Sequence, residues 1–131
     1  MNQLNSIILE GNLVKDAVLS EPAAGFKVGN FTLAVNRFYK NKNDQAVDEV
    51  SYFDVETYGK SAELCEKKAK KGRGVRVVGR LKQSVWKDQN AVTQSKIYVV
   101  AEHIEYKPMY SKTDEKVQEE KKTEVEETSV F

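Results

Sequence analysis

The sequence predicts an all-β domain, a five-stranded barrel with one helix between its third and fourth strands, followed by a disordered C-terminal tail. Three observations carry this reading. Apolar residues recur at alternate positions in five separate runs, one segment switches to a helical period, and aromatic and β-branched residues nearly stop at Tyr110. A chain of 131 residues has room for one core of ordinary size and not for two. The expected organisation is a folded domain over residues 1–108 and a tail over residues 109–131.

In residues 5–15, Ile7, Leu9 and Leu13 share one parity, and Gly11 stands where a bulge or a close backbone approach is expected, so the segment reads as a bent strand. Residues 28–39 repeat the alternation through Phe31, Leu33 and Val35 and form the second strand. The polar run 40–45 is a loop, because Asn and Asp bond to nearby backbone and favour turns. A third strand follows over about residues 49–58. From Lys60 to Lys71, Ala62, Leu64, Cys65 and Ala69 make a narrow helical stripe, with Gly72 as its stop. Val75, Val77, Gly79 and Leu81 then alternate with Arg76, Val78, Arg80 and Lys82, and residues 95–106 supply a last strand beyond the turn at 87–90. Three strands, a helix and two strands is the element order of the OB-fold, a Greek-key barrel.

The two parts differ in charge. Residues 1–110 hold 17 Lys and Arg against 13 Asp and Glu, a net +4, whereas residues 111–131 hold 4 against 7, a net −3. A basic module with an acidic tail suits a polyanion partner. The tail is mostly Lys, Glu, Thr, Ser and Gln and cannot bury enough apolar surface to order itself. No apolar run approaches the length of a membrane span, and the N-terminal residues lack a secretory pattern, so a cytoplasmic protein is expected. The single cysteine, Cys65, allows neither an intramolecular disulfide nor a cysteine-based zinc site.

Single-stranded nucleic acid offers a phosphate per nucleotide and an unpaired base with an exposed π-face, and a surface mixing cations with aromatic rings matches both. The candidate stacking rings are Phe38, Tyr39, Tyr52, Tyr58 and Trp86. Parity puts Tyr52, Asp54, Glu56 and Tyr58 on one face of the third strand, too polar for a core, and Phe53 on the other, as a packing or subunit-contact residue. Arg76, Arg80 and Lys82 form a basic stripe leading to Trp86 and Lys87. With Arg37, Lys60 and Arg73 these are the candidate phosphate contacts.

Nothing here assembles a catalytic site. His103 is the only histidine, Cys65 lies on the helix's apolar stripe, and Asp54 and Glu56 lack a second acidic pair or a metal-binding histidine. Gly72-Arg-Gly74 follows a helix and lacks the Walker pattern. A binding protein without catalytic residues, metal or cofactor is expected.

Residues 4–106 resemble the bacterial single-stranded DNA-binding protein family, through Gly11-Asn-Leu-Val-Lys-Asp16, Phe31-Thr-Leu-Ala34, Tyr52-Phe-Asp-Val-Glu-Thr-Tyr-Gly-Lys60 with Ala62-Glu63, Gly79-Arg-Leu-Lys82 and Trp86-Lys-Asp88. The resemblance implies a homotetrameric OB-fold protein that coats single-stranded DNA in replication, recombination and repair. It implies base stacking at Tyr52, Tyr58 and Trp86, and a fourth ring at Phe38 or Tyr39. Asp54 and Glu56 depart from the family, whose members commonly carry basic or apolar residues there; unless screened or paired, each repels phosphate, so weaker or more salt-sensitive binding is expected. The family also ends in an acidic peptide with a terminal phenylalanine that docks on replication and repair enzymes. Here Glu124, Glu126, Glu127, Val130 and Phe131 stand in that place, without the usual aspartate run or penultimate proline. The alternative is an accessory primosomal OB-fold protein acting mainly through protein contacts.

Overall fold

A computed structural model describes residues 2–108. The expected disorder of the tail, and the docking role expected of Glu124, Glu126, Glu127, Val130 and Phe131, lie outside the described residues. The elements are β1 (Ile7–Leu13), β2 (Val18–Ala23), β3 (Phe26–Lys40), β4 (Ala46–Tyr58), α1 (Lys60–Lys68), β5 (Gly74–Lys87) and β6 (Thr93–Tyr106).

Five of the strands close a barrel in the order β1-β5-β6-β4-β3, with β3 returning to β1 through Asn12 opposite Ala34 and Leu13 opposite Leu33. All neighbours are antiparallel except β4 and β6, which meet in parallel at Val55 opposite Val99. The inward parity of each strand builds the core from Leu13, Phe31, Leu33, Val55, Val75, Val77, Val99 and Ala101, as the alternation predicts. Gly11 is the close approach expected of it: a Cβ there would overlap the carbonyl oxygen of Ala34, so β1 can cross β3 only without a side chain.

Two elements differ from expectation. β2 is an additional strand, paired to β3 from Val18 opposite Asn30 to Ala23 opposite Phe26. It is almost wholly exposed, with Leu19 its one partly buried residue, and it contains Pro22, so it lacks the alternation that marks a strand. The helix ends at Lys68, three residues early, and turns Ala62, Cys65 and Ala69 inward while Leu64 stays 46% exposed. The three buried residues lie at i, i+3 and i+7; Leu64 is two positions from Ala62 and so sits on the far side of the helix.

β3–β4 and β5–β6 outrun the barrel. β1 pairs with β5 only as far as Gly79 and with β3 only around Ala34, and β6 meets β4 only at Val99 and Val100. Each whole hairpin, β3–β4 or β5–β6, is an arm, and beyond those points it is two-stranded. Both arms end in the same five-residue turn. The side-chain oxygen of its first residue, Asn41 or Asp88, accepts the amides two and four residues on, at 2.9 and 3.0 Å in each case. The fourth residue, Asp44 or Ala91, has φ 60°. The Val92 amide, chiefly, holds the Asp88 carboxyl below the usual range. A depressed carboxyl stabilises the fold above its unfolded pKa, so this contribution is lost only as pH falls into the acid range.

Ala91 carries a strain that Asp44 tolerates better, since left-handed backbone costs an ordinary residue about 1–2 kcal/mol and a flexible glycine returns about half of that gain. Ala91→Gly is therefore expected to stabilise the domain by roughly 0.5–1 kcal/mol, raising the melting temperature by a few degrees. A lowered melting temperature would contradict this account of the turn.

Candidate nucleic-acid interface

The face of the arms opposite the core parity is polar and aromatic. On one arm Asn30 stands beside Glu56, Thr32 beside Asp54, Ala34 beside Tyr52 and Phe38 beside Asp48. On the other, Lys82 stands beside Tyr98, Ser84 beside Lys96 and Trp86 beside Gln94. Between them runs a groove of about 540 Å³, lined by Asn30, Thr32, Asp54 and Glu56 from the first arm, by Ser84, Trp86, Lys96 and Tyr98 from the second, and by Lys15, Asp16 and Val18 at its margin.

Four of the expected rings present themselves to solvent: Phe38 is 76% exposed, Tyr52 65%, Trp86 46% and Tyr39 39%. The cross-strand register places Phe38 on the face of Tyr52. Tyr39 points to the opposite face, beside Val47, with the Arg37 guanidinium 4.9 Å above its ring. Tyr58 is half-buried, because Phe26 stacks on it with ring centroids 5.6 Å apart and planes at 21°. A base can reach only the side of Tyr58 that Phe26 leaves open. Phe53 lies on the core parity opposite Leu33, half-buried.

The two carboxylates that stand among the rings are both engaged. Lys96 Nζ lies 2.7 Å from Asp54 Oδ2, and the Thr32 hydroxyl donates to Asp54 Oδ1 at 2.9 Å. The Lys96 bond, then the Thr32 bond, hold the Asp54 carboxyl below the usual carboxylate range. Tyr58 donates to Glu56 Oε2 at 2.7 Å. Burial, with that bond and the Glu56 charge behind it, pushes the Tyr58 phenol above its usual range, so it remains a neutral donor.

The candidate cations are dispersed. Lys82 lies on the groove parity, exposed, next to Tyr98. Arg80 shares that parity and reaches Glu102 at 3.7 Å. Arg76 sits further down β5 in a cross-strand ladder, 3.2 Å from Glu10 and 3.7 Å from Glu105. Arg37 faces Glu49 at 3.6 Å. Arg73 donates to the Lys107 carbonyl at 2.6 Å beside the Tyr106 ring, Lys60 opens α1, and Lys87 ends β5 on the parity opposite Trp86. None of the seven expected phosphate contacts, Arg37, Lys60, Arg73, Arg76, Arg80, Lys82 and Lys87, lines the groove.

Tyr98 and Lys96 do line it and are not among the residues singled out from the sequence. Their signal is the alternation Gln94, Lys96, Tyr98 within a strand whose other parity carries Ile97 and Val99, and only the pairing with Lys82 and Ser84 shows that this polar parity faces the groove. Cys65 is buried, 3.3 Å from the Tyr106 hydroxyl, and burial pushes its thiol up, away from the thiolate that nucleophilic chemistry needs. Among the described residues no group of three or more His, Cys, Asp or Glu is placed to hold a metal ion, and no helix is long and apolar enough to cross a membrane.

A model of the "Single-strand binding protein family" matches residues 4–107. The chain is 40% identical over 101 residues to a protein of Aquifex aeolicus named "Single-stranded DNA-binding protein", covering 77% of this chain and 68% of that one. It is 37% identical over 106 residues to a protein of the same name from Borreliella burgdorferi, covering 80% and 70%. Among solved structures, the Plasmodium falciparum SSB in complex with ssDNA superposes with a TM-score of 0.75 at 21% identity, over 82% of this chain and 98% of that one, a likeness of fold. A deletion variant of the single-stranded DNA binding protein from Thermus aquaticus gives 0.72 at 25% identity, over 80% of this chain and 51% of that one.

Proposed function

The chain belongs to the single-strand binding protein family, and we propose from this that residues 1–108 bind single-stranded DNA without reading base order, protecting it in the cytoplasm during replication, recombination and repair. The observation that supports this best is the set of exposed rings, Phe38, Tyr52 and Trp86, on the outward face of two arms that flank one groove. Each ring can hold a base of any kind, at about 1–3 kcal/mol per base. The role is one of binding and not of catalysis. Asp54 and Glu56, being engaged by Lys96 and Tyr58, oppose phosphate less than two free carboxylates would.

The test is a band shift at low salt. A labelled single strand is expected to be retarded, to be competed by unlabelled single strands of any order but not by a blunt duplex, and to be released as salt rises. Equal competition by duplex would contradict the reading. A second reading, an accessory primosomal protein acting mainly through protein contacts, is favoured by one observation: Arg37, Arg76, Arg80 and Lys96 each face a carboxylate. It predicts no retardation.

The same proposal extends to partners. Leu81, Val85 and Ile97 continue the core parity beyond the barrel and are exposed, an apolar strip that suits contact between subunits of a homotetramer with Phe53 at its base. Residues 109–131 recruit replication and repair enzymes through Val130 and Phe131 with the carboxylates of Glu124, Glu126 and Glu127. Deleting Val130 and Phe131 is expected to spare the band shift and abolish capture of such enzymes from a cell extract; capture that survives the deletion would contradict the docking role.

A further inference from the structure

The groove between the arms is unlike the phosphate-tracking channel that a coating protein needs. Its charged lining is two lysines, Lys15 and Lys96, against three carboxylates, Asp16, Asp54 and Glu56, and Lys96 is already held by Asp54 at 2.7 Å. These charges sum to one net negative, so the floor gives no net attraction to a backbone carrying one negative charge per nucleotide. What the floor offers is hydrogen-bond acceptors, with Trp86 and Tyr98 as aromatic neighbours and a volume of about 540 Å³, in the range of small-ligand sites.

We infer that this groove seats a nucleobase, edge first, and favours bases that carry an exocyclic amine over thymine. The inference rests on the single-strand binding reading and adds a preference for base composition to it. Glu56 is the selecting residue. Its Oε2 accepts from Tyr58, which fixes the carboxylate, and its Oε1, which has no partner among the described residues, can accept from a base amine. Carboxylates pair with the N4 amine of cytosine, whereas thymine presents a carbonyl at the same place, and a carbonyl against a carboxylate is repulsive. Asn30, beside Glu56 in register and exposed, offers an amide to the neighbouring ring acceptors of cytosine. Stacking alone would tolerate every base. The preference therefore arises from the acceptor floor and not from the rings.

The experiment compares matched oligo-dC and oligo-dT at one neutral pH and one salt concentration, read by Trp86 fluorescence and by band shift, for the full chain and for Glu56→Gln. Wild type is expected to bind oligo-dC about tenfold more tightly than oligo-dT. In Glu56→Gln the amide oxygen keeps the Tyr58 bond and turns the NH₂ group into the groove, a donor that matches the thymine carbonyl and clashes with the cytosine amine. The ratio is expected to fall to about one or to reverse. Wild type binding oligo-dT as tightly as oligo-dC, or more tightly, overturns the inference and leaves the single-strand binding reading standing; a ratio unchanged by Glu56→Gln overturns the assignment to Glu56. Binding of neither oligonucleotide overturns both readings at once.

Discussion

Replacing Tyr52 and Trp86 together by alanine is expected to weaken binding of single-stranded DNA by about two to four orders of magnitude, since each stacked base is worth roughly 1–3 kcal/mol and rings on separate arms act nearly independently. Both rings are largely solvent-facing and neither belongs to the core cluster, so the melting temperature should hardly move. Titration of a labelled oligonucleotide, followed by anisotropy at fixed salt, gives the affinity, and a thermal melt gives the control. A loss below threefold in the double variant would show that stacking on these arms does not dominate affinity. The single variants Phe38→Ala and Tyr39→Ala separate the two candidates for the fourth ring. Phe38 shares the face of Tyr52, so its loss is expected to weaken binding by about tenfold, whereas loss of Tyr39 should matter less.

The second large effect concerns the barrel. β6 carries one residue more than β5 at the point where Val78 pairs with His103 but Gly79 pairs with Ala101. There the strands approach so closely that a Cβ on Gly79 would overlap the carbonyl of Val100 and come within 3.1 Å of the Ala101 Cα. Those atoms are backbone and cannot swing aside as a flexible side chain would. Gly79→Val is expected to cost about 3 kcal/mol or more, a large share of the 5–15 kcal/mol that holds a domain of this kind folded. The melting temperature should fall by roughly 10–20 °C, and the arms, which leave the barrel at this point, should lose their fixed relation to one another. A melting temperature within a few degrees of wild type would contradict the close approach.

The barrel was legible because each of its strands buries one parity. Val75, Val77 and Gly79, or Phe31 and Leu33, announce their inward face with no knowledge of their neighbours. β2 was not legible for the converse reason: a strand that pairs along one edge and buries little beyond Leu19 has no apolar period to read. The helix could be read as a helix but not its inward face, because Leu64 is as apolar as the residues that are buried and only docking against Gly29 decides which side turns in.

The candidate interface was legible in its rings and illegible in its charges. Tyr52 and Trp86 stand out as aromatic residues in polar company. Whether Asp54 is a free carboxylate or the partner of Lys96 depends on the meeting of β4 with β6, more than forty residues away in the chain, and no local pattern contains that information. The same holds for Arg76, which reads as part of a basic stripe and lies in a ladder with Glu10 and Glu105. The partial covering of Tyr58 by Phe26 is another long-range fact, set by the β3–β4 register.

Trp86 is the only tryptophan in the chain, so its emission reports the proposed contact without a label. The most direct measurement is a titration of the full chain with a mixed-sequence single strand at low salt while Trp86 fluorescence is followed. Saturable quenching that is reversed by added salt and absent with blunt duplex is the predicted result. Unchanged emission, together with no retardation of the oligonucleotide under the same conditions, would contradict the proposal that this barrel binds single-stranded DNA by stacking its bases.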